Sequence, residues 1–246
     1  MTTRRRLRRA AALAGGFGLV LTLAGGAPAA TAATTPATGV PPDLTANAPL
    51  TTDPVPTGEV AVVAASAPVR DRIAFVVQNG SDGVVRLARV TAFATRSGGT
   101  QVSRASTRTV VPVRLAPGER AIGKVRFRAN TIGPAPALTW EVRSTRAPSA
   151  PDPTRLAVRD AVLSAPQGGA VAQTLRFTAE NPQARRLRGP VVTKVLCLNE
   201  SGRPAVLASA TTKRARLAPG ATMPVTVELR ELCPSWAVGA AAGLLR

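Results

Sequence analysis

The sequence contains one long segment twice, and this duplication constrains the fold more than any single motif. When the chain is shifted along itself by 102 residues, a long ungapped match appears. A repeat of this length is a copied domain rather than a short solenoid unit. It predicts two domains of about 90 residues each, a size that can bury its own core. The matching positions include Phe75 and Phe177, Asn79 and Asn181, Thr91 and Thr193, Val125 and Val227, and the Arg-Leu-Ala-Pro-Gly runs at 114–118 and 216–220.

Both copies show the periodicity of β-strands. In the first copy, Val111, Val113 and Leu115 lie on one side of an alternating run, and residues 121–128 repeat the pattern of apolar and basic positions. Turn-forming clusters rich in Gly, Asn, Ser and Pro separate these runs. A period of two with short turns indicates antiparallel sheets with one buried face. Seven such strands in about 90 residues predict a β-sandwich.

The strand at residues 87–95 can be placed in two ways. Either Val90 and Ala92 face the core, or Phe93 does. The second copy has Lys194 opposite Ala92, and this favours Phe93 and its counterpart Val195 as the core residues. A one-residue slip would reverse every side chain of the strand.

Residues 1–32 are typical of an export signal. Five arginines lie in the first nine residues, an apolar stretch follows at 10–24, and small-x-small cleavage sites occur at 27–29 and 30–32. We favour general export, with the twin-arginine route as the alternative because of the run Thr3–Leu7. The mature chain is expected to be secreted, extracellular or cell-wall associated, without a transmembrane segment.

Proline and composition mark the remaining boundaries. Residues 33–56 are rich in Thr, Pro and Ala, which predicts a disordered, solvated spacer. The first sandwich is expected at 57–146 and the second, with a short C-terminal tail, at 154–246. Between them, residues 147–153 contain three prolines and predict a short, stiff linker.

The chain is strongly basic. Its net charge is +19, and removing the five arginines of the signal leaves +14. Such a field attracts anionic surfaces, although the excess of arginine over lysine is also typical of a GC-rich genome and of a solvated face. No basic run outside the N-terminus indicates specific nucleic-acid binding. Possible contacts with an anionic surface are Arg108, Arg114, Arg126 and Arg128 on the polar sides of predicted strands.

The side chains needed for catalysis or metal binding are scarce. The chain has no His, its carboxylates are scattered, and its two cysteines, Cys197 and Cys233, are not spaced for a redox or zinc motif. In an exported protein this pair is expected to form a disulfide. Trp140 and Trp236 recur in equivalent strands and are expected in the cores, with glycan binding as the alternative. We therefore predict no enzyme activity, no metal site and no cofactor. The alternative is a hydrolase whose two carboxylates are distant in sequence but close in space.

A resemblance to a known family rests on the strand and turn motifs of both copies. These motifs are Val-Gln-Asn-Gly-Ser at 77–81, Leu-Ala-Arg-Val at 87–90 and Leu-Ala-Pro-Gly-Glu at 115–119, with counterparts at 180–182 and 217–220. The chain resembles bacterial FxLYD-type and related immunoglobulin-like domains, in two tandem copies. The aromatic-rich segment that names the family is replaced by Ala-Thr-Arg at 94–96 and Leu-Cys-Leu at 196–198. The resemblance implies a non-catalytic exported module.

Together these observations predict an all-β, secreted, non-enzymatic protein of two tandem immunoglobulin-like sandwiches. Its expected role is adhesion, scaffolding or partner binding at the bacterial cell envelope, with an unidentified protein or an anionic cell-surface polymer as partner. The alternative is an accessory or regulatory exported domain that binds a small ligand or an enzyme.

Overall fold

The computed structural model of the protein describes residues 44–95, 100–129, 131–132, 137–148, 152–164 and 173–243. Within these ranges there are fifteen β-strands and no helix, and the strand pairs are antiparallel. The prediction of an all-β antiparallel fold is confirmed. The predicted export signal at 1–32 lies outside the described residues, as do residues 33–43 of the predicted spacer.

The strands are named in chain order. Residues 44–56 form an N-terminal segment, residues 57–148 are called the first half, and residues 152–243 the second half. Up to the end of the first half the strands are β1 Thr45–Ala46, β2 Val60–Ala65, β3 Arg72–Asn79, β4 Val85–Thr95, β5 Gln101–Thr107, β6 Val110–Val111, β7 Arg114–Leu115, β8 Arg120–Arg126 and β9 Ala137–Arg146. In the second half they are β10 Arg155–Leu163, β11 Gln173–Glu180, β12 Leu187–Leu198, β13 Pro204–Leu217, β14 Thr222–Leu229 and β15 Ser235–Ala242.

The first half folds into two four-stranded sheets. One has the order β2-β3-β8-β6; in the other, β4 pairs with β9 along its length and with β5 and β7 at its two ends. The apolar sides of both sheets form one core, which includes Phe75, Val77, Val90, Leu115 and Val125. Two sheets around a shared core are consistent with the predicted β-sandwich.

The second half has one sheet of the order β13-β12-β15-β10-β11-β14 that folds over its own core. Strand β10 connects the two layers, because Arg155 and Leu156 pair with β15 while the rest of the strand pairs with β11. A bulge between Arg159 and Val162 interrupts that pairing, and Asp160 inside it has a φ of 52°. Bulges of this kind bend a strand, so β10 can serve both layers.

The repeated Asn residues hold the same turn in both halves. Asn79 and Asn181 are fully buried. The side-chain amide of Asn79 donates to the carbonyl of Leu115, and that of Asn181 donates to the carbonyl of Leu217, each at 3.0 Å. Each of these bonds ties the end of the second strand of a copy to its Leu-Ala-Pro-Gly turn, which explains why these residues recur together in the sequence.

Strand β4 contains a bulge that the sequence pattern does not reveal. The pairing of β4 with β9 shifts by one residue between Leu87 and Arg89. Beyond the shift, Val90 and Ala92 are fully buried in the core, whereas Phe93 faces away from it and is partly exposed. The prediction that Phe93 is a core residue is therefore wrong, because the extra residue reverses the facing of the rest of the strand.

Strand β12, the counterpart of β4, keeps its pairing with β15 in register over residues 191–198. Val195 and Cys197 consequently face the core of the second half, as predicted for Val195. The alternate positions, Lys194 and Leu196, point to the opposite side of the sheet. Both of these residues are buried as well, so β12 is covered on both faces.

The outer face of β12 is covered by the first half. Val76 and Ile122, from the sheet β2-β3-β8-β6, pack in one apolar cluster with Leu196, Leu198 and Ala237. All five side chains are 0% exposed. Apolar burial of this kind joins the two halves, and they belong to one compact unit that spans residues 40–246.

The N-terminal segment is not the solvated spacer that its composition predicts. Thr45 and Ala46 pair with Val238 and Ala237 of β15, and Leu44 is buried in the cluster between the halves. Further along, the carboxylate of Asp53 accepts a hydrogen bond from the Arg203 guanidinium at 2.7 Å. Proline excludes long regular strands, but short pairings and single apolar anchors are enough to hold this segment on the second half.

The junction between the halves contains a buried ion pair. The guanidinium of Arg155 donates to both carboxylate oxygens of Glu119, at 2.8 and 2.7 Å. Burial raises the pKa of Glu119, but the hydrogen bonds from Arg155 and from the backbone N–H of Ala116 lower it by more, so the pKa lies below its usual value. At the end of the predicted linker, buried Asp152 accepts hydrogen bonds from the backbone N–H groups of Val113 and Arg114. This end of the linker is therefore fixed to the first half.

Candidate functional site

Of the four arginines predicted to contact an anionic surface, three lie on or next to the paired strands β6 and β8, and one lies on the other sheet. Arg126, in β8, is exposed and donates to Asp71 at 2.6 Å. Arg108 is exposed between β5 and β6, and Arg128 is exposed just after β8. Arg114 belongs to β7 on the other sheet. The structure therefore does not bring these four side chains together.

A different set of arginines shares one surface. On the outer side of the sheet formed by β4, β5, β7 and β9, the register places Arg86 beside Arg114 and Arg89 beside Arg143, and Arg104 beside the outward-facing Phe93. Arg86, Arg104 and Arg143 are exposed, while Arg89 and Arg114 are partly exposed. We call this surface the arginine face; its residues are Arg86, Arg89, Arg104, Arg114, Arg143 and Phe93.

The bulge in β4 creates this surface. It follows Leu87, so the side chains of Arg89, Thr91 and Phe93 point outward together with those of Arg104 on β5 and Arg143 on β9. They line a shallow groove of about 180 Å³. Without the extra residue, Phe93 would point into the core and Ala92 to the solvent.

The charge of the arginine face is almost unopposed. Glu141 is the only acidic residue in β4, β5, β7 and β9, and the structure describes every residue of these four strands. Its carboxylate accepts a hydrogen bond from the Arg143 guanidinium at 2.6 Å. Exposed pairs of this kind contribute little stability. Among the described residues, no ion pair engages the guanidiniums of Arg86, Arg89 and Arg104, and a guanidinium suits planar anions.

The sequence contained part of the signal for this surface. Arg86, Arg89, Arg104 and Arg143 were missed as candidates, because the facing of β4 was assigned without the bulge. The clearest clue is that only one acid accompanies the arginines of these strands. Their shared face becomes apparent only when the register of β4 with its neighbours is known.

The two cysteines form a disulfide, as predicted. Cys197 in β12 is bonded to Cys233, which precedes β15. In the part of the chain that the structure describes, no group of three or more acidic or cysteine side chains could hold a metal ion. Among the same residues, no helix is long and apolar enough to span a membrane.

The tryptophans lie where core packing predicts them. Trp236 is 4% exposed and belongs to the core of the second half. Trp140 packs against the core of the first half, with its ring centroid 5.3 Å from that of Phe75. Their position supports the packing role over glycan binding.

No protein-family model matches this chain, and no curated protein matches it either. The arguments for function therefore rest on the surfaces of the molecule.

Proposed function

We propose that this chain is an exported, non-enzymatic protein of two immunoglobulin-like domains that binds anionic polymers of the cell envelope through its arginine face. The observation that supports the proposal is the gathering of five guanidiniums and one aromatic ring on a single exposed sheet, with Glu141 as the only acid of those strands.

The geometry of a sheet suits a linear polyanion. Neighbouring strands are about 4.8 Å apart, and side chains on the same face of one strand are about 6.7 Å apart. Arg86 and Arg89 on β4, together with Arg104 on β5 and Arg143 on β9, therefore present a grid of cations rather than a single charge. Guanidiniums bind carboxylate and phosphate groups with paired hydrogen bonds. The ring face of Phe93 can pack against apolar parts of the bound polymer.

The second half supports this role in a different way. Because the outer face of β12 is buried against β3 and β8, the first half is held firmly, while β4, β5 and β9 of the arginine face belong to its other sheet. Arg114 of β7 lies at the edge of this face next to the junction, where its backbone N–H donates to Asp152. A fixed platform loses less conformational entropy on binding than a mobile one. In this proposal the first domain carries the binding surface and the second domain holds it rigid.

Binding of the mature protein to immobilised polyglutamate and polyphosphate, measured over a range of salt concentrations, tests the proposal. Replacing Arg86, Arg89 and Arg143 by Gln is expected to weaken binding at least about ten-fold and to reduce its salt dependence. The matched control removes the same charge elsewhere by replacing Arg108, Arg128 and Arg186 by Gln, all of which are exposed.

An equal loss of affinity in the two triple variants would overturn the assignment of the arginine face, since net charge alone would then explain binding. Binding that does not weaken with salt would contradict the electrostatic basis altogether.

A further inference from the structure

A cleft lies where the first half meets the edge of the second. It has a volume of about 910 Å³ and runs between β3 and β8 on one side and β13 and β14 on the other. Its walls include Arg72, Lys124, Val206, Ala208, Glu228 and Arg230. The size of the cleft is typical of sites for small organic ligands, and its lining combines apolar side chains of β13 with charged residues of both halves.

Lys124 lines the cleft. Its side chain is partly buried, and burial, followed by the nearby charge of Arg72, lowers its pKa. Within the described residues, no hydrogen bond or ion pair joins the Lys124 ammonium to another group. An ammonium removed from water without a partner is energetically unfavourable.

A second lysine, Lys194, lies near Lys124 but behind the residues that line the cleft. Lys194 is 3% exposed, and its Nζ donates to the carbonyl of Thr109 at 2.6 Å. Burial and then the charge of Lys124 lower the pKa of Lys194 to about 8. Its neighbours on adjacent strands of its own sheet are Ser209 and Gly239, which carry no charge.

The acids of the cleft do not neutralise these lysines. Glu228 and Glu231 are exposed on and just after β14, and neither forms an ion pair with Lys124 or Lys194 in the described chain. The β3 and β8 side of the cleft therefore carries Lys124, Arg70 and Arg72, while Glu228 and Glu231 lie with Arg230 on the opposite wall. Such an arrangement is complementary to a ligand with an anionic head and a hydrogen-bonding body.

We propose that this cleft binds a small phosphate monoester, with its phosphoryl group on the Lys124 ammonium and its hydroxyl groups facing Glu228 and Glu231. Several cations suit a doubly charged oxyanion better than a single carboxylate. The apolar walls formed by Val206 and Ala208 can cover the carbon skeleton. The site is separate from the arginine face and does not depend on polymer binding.

Amine footprinting of the wild-type protein tests this directly. The chain has only three lysines, Lys124, Lys194 and Lys213, so acylation by an amine-reactive reagent can be followed at each by mass spectrometry. Glycerol 3-phosphate is expected to slow acylation of Lys124 at least about five-fold relative to Lys213. Equal slowing at both lysines, or none at Lys124, would overturn the proposal.

Calorimetric titration at pH 7 provides the second test, with glycerol 3-phosphate, inorganic phosphate and acetate at matched ionic strength. We expect glycerol 3-phosphate to bind more tightly than inorganic phosphate, and acetate not to bind. Lys124→Met is expected to lower the affinity at least about ten-fold, and Arg128→Gln to leave it unchanged. If inorganic phosphate binds as tightly as the ester, the organic body contributes nothing and the monoester assignment is wrong.

The Arg86, Arg89 and Arg143 triple variant separates this proposal from the preceding one. It is expected to lose polymer binding while keeping its affinity for glycerol 3-phosphate. If the triple variant also loses the phosphate ester, the cleft is not an independent site and the inference fails. Folding of each variant is verified by circular dichroism, and the footprinting test needs no variant.

Discussion

Strands β4 and β12 are copies of one another, yet the outer face of β4 is exposed to solvent and that of β12 is buried. The outer face of β4 carries Arg86, Arg89 and Phe93 into solvent, whereas the outer face of β12 buries Lys194 and Leu196 against the first half. One bulge in β4 separates the two outcomes. The comparison shows that a bulge in one strand can leave its outer face in solvent while the same face of the copied strand is buried.

The halves also differ in covalent support, and this difference has the largest expected effect. The disulfide joins Cys197 and Cys233 in the second half, where the first copy has Thr95 in place of Cys197. Replacing both cysteines by Ala is expected to lower the free energy of unfolding by about 4 kcal/mol, from the loop that the bond closes. Chemical denaturation of the variant and the wild type measures the change.

The two tryptophans show whether that loss reaches the first half. Trp140 reports on the first half and Trp236 on the second, so the variants Trp236→Phe and Trp140→Phe each leave one fluorescent probe. Because the halves share a buried interface, both probes are expected to give the same transition, and removal of the disulfide is expected to move both. A transition of Trp140 that does not respond to the disulfide would show that the halves unfold separately.

Shortening one side chain on each outer face is expected to give the next largest change in stability. Leu196→Ala removes a fully buried side chain between the halves and is expected to lower stability by about 3 kcal/mol. Phe93→Ala acts on a partly exposed position of β4 and is expected to lower it by less than about 1 kcal/mol. Similar losses, measured by denaturant titration, would mean that the two faces are not different environments.

Lys194, on the buried outer face of β12, is expected to make the stability of the protein depend on pH. The pKa of Lys194 is about 8 in the folded protein, below its ordinary value of 10.5, so the unfolded chain binds more protons between these values. Stability is therefore expected to rise with pH over this window, by on the order of 3 kcal/mol. Lys194→Met is expected to remove most of the rise and to leave only the part that comes from the lowered pKa of Lys124. A variant whose stability climbs from pH 8 to 10 as much as that of the wild type would contradict this origin.

The sequence predicted the parts of the fold that repeat. The shared Asn79 and Asn181, the Leu-Ala-Pro-Gly turns and the alternating runs identified the strands and the antiparallel sheets. The disulfide followed from the cysteine pair. These features depend on local patterns that a single copy already contains, and the second copy tests them independently.

The parts that were not predicted depend on contacts between distant segments. The bulge in β4 leaves no composition signal, so Phe93 was placed in the core and the arginine face was missed. A clue to the interface was present in β12, since six of the eight residues at 191–198 are apolar, a pattern typical of strands covered on both faces. Leu44 and Leu50 in the proline-rich segment were similar clues, because both pack into the cluster between the halves.

The pairing of β1 with β15 has a consequence for the time course of folding. The Asn47 side chain accepts a hydrogen bond from the backbone N–H of Trp236, 189 positions further along the chain. Contacts so remote in sequence raise the contact order and form slowly. During synthesis, β1 is complete long before β15 is, so it cannot form this pairing until β15 has been made. The pairing of β1 with β15 is therefore expected to be among the last contacts to form.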